Sequence, residues 1–163
     1  MITGYYRPKT LDEALKLLET PNNIPIGGGT TFMHIKRDVS VVDLQNLSLN
    51  IIREGDATIQ IGSTTTLETM LKYFDPYKSI KEAIKIEASR NQREQVTLAG
   101  LVCASGGRSA LLTLLLAINP VMVWQPGNIE IPLGEYLAQR NYWKKGVLIT
   151  DFIFDKKIIF GFE

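Results

Sequence analysis

Apolar and polar residues alternate along this chain with two different periods. Leu11, Ala14, Leu15 and Leu18 recur at helical spacing, and Thr10 stands three residues before Glu13, the spacing of a helix-capping box. Pro21 then predicts that this helix ends near Thr20. Upstream, Tyr5 and Tyr6 read as a short strand. Ile24, Pro25 and Ile26 read as a buried strand, and Ser40 to Leu44, short and β-branched, as another. A short helix is expected over residues 32–37. Strand, helix, strand, helix, strand within about 45 residues is the rhythm of a small α/β lobe with a largely parallel sheet.

From residue 51 the pattern changes. Residues 51–54 and 58–61 alternate around Gly55-Asp56 and predict a hairpin. Leu67, Met70, Leu71 and Phe74 share one helical face behind Thr66, and Asp75-Pro76 stops that helix. A further helix is expected to start at Ser79-Ile80 and run through Ala83, Ile84 and Ala88. Residues 96–101 read as a strand or loop bent at Gly100. Residues 111–118 are apolar on nearly every face, which predicts a buried helix. Residues 121–124 and 129–133 flank the turn Pro126-Gly127-Asn128. Residues 134–137 read as a helical turn and residues 146–154 as a last strand. Asp155-Lys156-Lys157 reads as a turn before residues 158–162. These patterns predict an α+β fold of two lobes, residues 1–50 and residues 51–163, forming one domain together.

The most conspicuous local chemistry is Gly27-Gly28-Gly29-Thr30-Thr31, placed between an apolar strand and Phe32. Glycines let a ligand approach the backbone closely, and unpaired N–H groups at such a turn suit a phosphate. A tight turn that binds nothing has the same appearance. A second glycine-bearing region, Thr97 to Gly100 and then Ser105-Gly106-Gly107-Arg108-Ser109, follows at long range. Two such loops from two lobes suit an elongated phosphate ligand such as a dinucleotide.

Composition narrows the field. The chain has 163 residues, 45% of them apolar, and a formal net charge of +1. That supports a packed core and gives no electrostatic case for nucleic acid or an anionic membrane. The apolar run of residues 110–124 is interrupted by Thr113, Asn119 and Pro120 and is too short to span a bilayer. The single cysteine, Cys103, fits a cytoplasmic location, and no signal peptide is visible at residues 1–4. The single histidine, His34, argues against a histidine-rich metal site. His34 reads as structural, Cys103 as a packed small hydrophobe, and Trp124 and Trp143 as core and surface anchors. Tyr5 and Tyr6 read as an edge strand packing on the first helix. No residue stands out as a catalytic acid or base.

In the order of its segments the chain resembles the FAD-binding, or medium, subunit of the molybdenum hydroxylases, the family of xanthine dehydrogenase and carbon monoxide dehydrogenase. The resemblance rests on Tyr6-Arg7-Pro8 with Thr10 to Leu15, Ile26 to Phe32, Val41-Val42-Asp43-Leu44, Ile61 to Thr65, Val96 to Leu101, Gly127 to Tyr136 and Gly146 to Thr150. It implies a two-lobed FAD-binding fold without the family's further C-terminal domain, and FAD as cofactor. It implies Ile26, Gly27, Gly28, Gly29, Thr30, Thr31, Phe32, Arg93, Thr97 and Gly100 as the cofactor-binding residues. It also implies electron transfer beside molybdopterin-binding and iron–sulfur subunits. Ala99, Leu101 and Ala110 depart from the family pattern, where glycine, asparagine and an acid stand. The alternative is a flavin-free domain serving as a binding or assembly module.

Overall fold

The computed structural model describes residues 1–30, 37–139 and 145–161. The helix expected over residues 32–37 lies almost wholly outside them, as do Thr31, Phe32, His34 and Trp143. Two sheets divide the strands. The first is three-stranded and parallel, in the order β1-β3-β2, built from β1 (Ile2–Tyr6), β2 (Asn23–Ile26) and β3 (Val39–Asp43). Helix α1 (Leu11–Glu19) buries Ala14 and Leu18 toward it. The Thr10 hydroxyl accepts from Glu13 N, while the Glu13 carboxylate accepts from Lys9 N, so the capping box reaches one residue further back than its spacing predicts. The strand expected to be buried, β2, is a half-exposed edge. Pro25 faces outward there, where a missing N–H costs the ladder nothing.

The second sheet is antiparallel, in the order β4-β5-β8-β6-β7. It comprises β4 (Ile52–Glu54), β5 (Thr58–Gly62), β6 (Val121–Gln125), β7 (Ile129–Pro132) and β8 (Leu148–Asp155). Both expected hairpins, β4-β5 and β6-β7, are present. Around this sheet lie α2 (Leu67–Tyr73), α3 (Lys78–Glu87), α4 (Arg90–Arg93), α5 (Leu98–Ala104), α6 (Ala110–Ile118), α7 (Leu133–Ala138) and α8 (Lys156–Phe160). Their core is continuous and includes Ile59, Ile61, Phe74, Ile84, Leu111, Phe152 and Phe154. A smaller cluster joins Ala14, Leu18, Val42 and Leu44 to Leu148 of β8, so the two sheets are tied together through apolar packing.

Three further expectations change. Residues 96–101 form no strand: Leu98 begins α5, capped by the Thr97 hydroxyl, and Leu98, Leu101 and Val102 are buried at spacings of three and four. The residues after Asp155 form α8, because the Asp155 carboxylate accepts from Lys157 N and caps a helix there. Helix α6 is apolar all round yet not wholly buried, since Leu116 is 46% exposed. Among the described residues no helix is long and apolar enough to cross a membrane.

Candidate functional site

The end of β2 runs into Gly27-Gly28-Gly29-Thr30, and this loop meets the segment that leads into α5. A Cβ on Gly27 would lie 2.9 Å from Thr97 Oγ1, and one on Gly28 only 1.5 Å from the Gln95 carbonyl oxygen. Gly29 has φ +76°, a left-handed conformation that glycine takes without strain. Glycine is therefore required here both for contact between the loops and for the turn itself. Among the described residues none accepts a hydrogen bond from the N–H groups of Gly27, Gly28, Gly29 or Thr30.

The second loop is different. Leu98 N donates to Thr65 O at 2.9 Å and Ala99 N to Ser63 O at 3.0 Å. Gly100 N donates to Thr97 Oγ1 at 3.2 Å. The main-chain donors that open α5 are thus spent inside the protein, holding α5 against the turn after β5. Thr97→Val keeps the shape and removes the cap, so it is expected to cost about 1 kcal/mol and lower the melting temperature by about 2–4 °C in calorimetry.

Two cavities meet at the junction of the loops. One, of about 220 Å³, is bounded by Pro25, Gly27 and Leu44 on one side and by Ser63, Thr64, Thr97, Ala99, Gly100 and Cys103 on the other, with Trp124, Val147, Leu148 and Ile149 as its apolar wall. The other, of about 290 Å³, is polar, with Gln45, Asn50, Thr66, Glu94 and Gln95 around Gly27, Gly28, Thr64 and Thr97. Gly27, Thr64 and Thr97 belong to both. Together the cavities make a cleft that is apolar at one end, lined by Gly27 and the hydroxyl residues Thr64 and Thr97 at the waist, and rich in amides at the other end. Such a cleft suits an elongated ligand with a flat ring and a phosphate chain.

Of the residues expected at the site, Gly27, Gly28, Thr97 and Gly100 line this cleft. Ile26 ends β2 behind the loop, where its side chain packs beneath Gly29. Thr30 is exposed, and Thr31 and Phe32 lie outside the described residues. Arg93 is not part of the lining. Its Nε donates to Glu68 Oε2 at 2.9 Å and its Nη1 to Ala88 O at 2.9 Å, with only 12% and 10% of the two charged side chains exposed. Ala110 opens α6, where the Glu87 carboxylate accepts from Ser109 Oγ and Leu111 N, so a carboxylate from α3 occupies that helix start. The Tyr5 hydroxyl donates to the buried Asp43 carboxylate, which also accepts from Gln45 N. This fixes the turn that carries Gln45 into the polar cavity.

Ser63 and Thr64 were not anticipated as site residues. Their segment, Ile61 to Thr65, was visible as a block of the family pattern. Hydroxyl residues after a strand also occur in ordinary turns and caps, so nothing in the sequence separated the two roles.

A two-sheet α+β domain with a glycine loop facing a cleft has the form of a domain that holds a nucleotide-like ligand. The chain belongs to the family described as the FAD binding domain in molybdopterin dehydrogenase, which it matches over residues 1–154. FAD is the cofactor of this family. Over 143 residues the chain is 26% identical to the uncharacterized protein YgfM of Escherichia coli K12, a match taking in 85% of this chain and 55% of YgfM. Its fold is similar to carbon monoxide dehydrogenase from Hydrogenophaga pseudoflava, with a TM-score of 0.82 at 18% identity over 95% of this chain and 59% of that one. Quinoline 2-oxidoreductase from Pseudomonas putida 86 also gives a TM-score of 0.82, at 16% identity over 93% of this chain and 58% of that one. The chain thus spans a little over half the length of each of these relatives.

Proposed function

We propose that this chain is the FAD-binding electron-transfer domain of a molybdenum hydroxylase-type oxidoreductase. It would stand in the cytoplasm between molybdopterin-binding and iron–sulfur subunits and an electron acceptor. The lobes at residues 1–50 and 51–163 would close on the cofactor together. The observation that carries the reading is the loop Gly27 to Thr30, whose N–H groups meet no acceptor among the described residues and which faces Thr97 across the cleft. Gly27, Gly28, Gly29 and Thr30 would bind the pyrophosphate through the main chain. The Thr97 hydroxyl would steady the opposite side, and the wall of Trp124, Val147 and Ile149 would exclude water from a ring. When bound, FAD supplies the redox chemistry; the protein's part is to position it and shape its surroundings.

One observation favours a second reading, a flavin-free assembly module: the N–H groups of Leu98, Ala99 and Gly100 are already bonded within the protein. Titrating purified apoprotein with FAD separates the two. Quenching of FAD fluorescence and a flavin visible band on the protein after gel filtration are the expected results. A folded protein that leaves FAD fluorescence unchanged overturns the first reading and supports the second. Co-purification of molybdopterin and iron–sulfur subunits with the tagged chain tests the partners.

A further inference from the structure

Ser63 is 1% exposed, and its Oγ has no hydrogen-bond partner. Yet the residue lines the apolar cavity beside Gly27 and Thr97. Its main chain is held on two sides. The Ser63 N–H donates to Thr150 O at 2.8 Å, tying it to β8, and its carbonyl accepts from Ala99 N at 3.0 Å, tying it to α5. The residue is therefore held at the cleft wall by backbone that cannot readily move. Burying a hydroxyl without a partner costs free energy, and a well-packed protein ordinarily avoids it. The neighbouring Thr65 makes a useful contrast. It is 0% exposed, and its Oγ1 is also without a partner, but it does not line either cavity of the cleft.

We propose that Ser63 is a cofactor-binding residue of this chain, its hydroxyl donating to a phosphate or ring acceptor atom of the ligand and lacking a partner until the cleft fills. The proposal rests on the reading of the cleft as an FAD site. It adds a third segment, the turn after β5, to the two glycine-bearing loops. It also makes a prediction of opposite signs. In the free protein the hydroxyl is a liability, so removing it stabilises the fold. In the complex it is a contact, so removing it weakens binding. A hydroxyl serving the fold alone does not move stability up and affinity down together.

The test measures thermal unfolding of the apoprotein by calorimetry and FAD affinity by fluorescence quenching, for wild type, Ser63→Ala and Thr65→Val. For Ser63→Ala the expected result is a melting temperature higher by about 2–4 °C and FAD binding weaker by about fivefold. Thr65→Val is expected to raise the melting temperature and leave FAD affinity unchanged. Unchanged FAD affinity in Ser63→Ala, or a lower melting temperature, overturns the role of Ser63 while leaving the FAD site in place. A wild type that takes up no FAD removes both the role and the reading beneath it.

Discussion

Gly28→Ala is expected to abolish FAD uptake and to lower the stability of the apoprotein by about 3 kcal/mol, the upper range for forcing an extra carbon into a closed contact. The added Cβ would lie 1.5 Å from the carbonyl oxygen of Gln95. That oxygen belongs to the backbone, so no side-chain rotation relieves the clash; the loop and the segment before α5 must separate. Separation moves Gly27 away from Thr97, and these two residues form the waist of the cleft. Stability and affinity should therefore fall together, the reverse of the pattern expected for Ser63→Ala. Gly106→Ala is the control. A Cβ there meets nothing within 4 Å, and alanine reduces the freedom of the unfolded chain, so the melting temperature should hold or rise slightly. Calorimetry and an FAD titration on the two variants check the contrast. An alanine at position 28 that leaves both stability and FAD uptake intact would show that the two segments do not meet as described.

What could be read from the sequence, and what could not, follows from how local each signal is. The parallel sheet of β1, β2 and β3 was legible because β2 and β3 are short stretches rich in Ile and Val and α1 between β1 and β2 carries its own cap at Thr10. The turn at Gly27 to Gly29 was legible because consecutive glycines after an apolar run mark a sharp change of chain direction. Helix α5 was misread as a strand or loop. Gly100 suggested a bend, whereas the governing feature is the Thr97 hydroxyl accepting from Gly100 N, which starts a helix. Leu101 is buried, Leu98 N and Ala99 N are bonded to the carbonyls of Thr65 and Ser63, and Gly100 N is bonded to the Thr97 hydroxyl. Ser63 could not be found from sequence, since its significance lies in a missing partner, and that is a property of three-dimensional packing.

Arg93 shows the same limit from the other side. The family resemblance placed it at the cofactor, but its partner is Glu68, 25 residues earlier on α2, with Ala88 O as second acceptor. We expect Arg93→Ala to lower stability by about 3 kcal/mol, the low end for breaking a shielded ion pair, because it leaves the Glu68 carboxylate without its counter-charge. In a protein of this size that is a fall of about 6–12 °C in melting temperature. Arg93→Met with Glu68→Leu, which removes both charges and keeps apolar bulk, should recover much of the loss. The pair also gives the fold a pH dependence of definite sign. The Arg93 hydrogen bond holds the Glu68 carboxyl below its ordinary value of 4.5. The folded protein therefore keeps this carboxylate charged at pH values where the unfolded chain protonates it. The contribution is complete above about pH 4.5 and is lost as pH falls below it toward the folded value. Stability measured from pH 7 to pH 3 should fall more steeply at the acid end in wild type than in the doubly apolar variant. FAD affinity separates the two roles of Arg93: if it acts by anchoring α4, and with it the Gln95 carbonyl that seats Gly28, Arg93→Ala measured well below its melting temperature should change FAD binding far less than Gly28→Ala does. A loss of affinity as large as that of Gly28→Ala, with little change in melting temperature, would instead place the guanidinium on the cofactor.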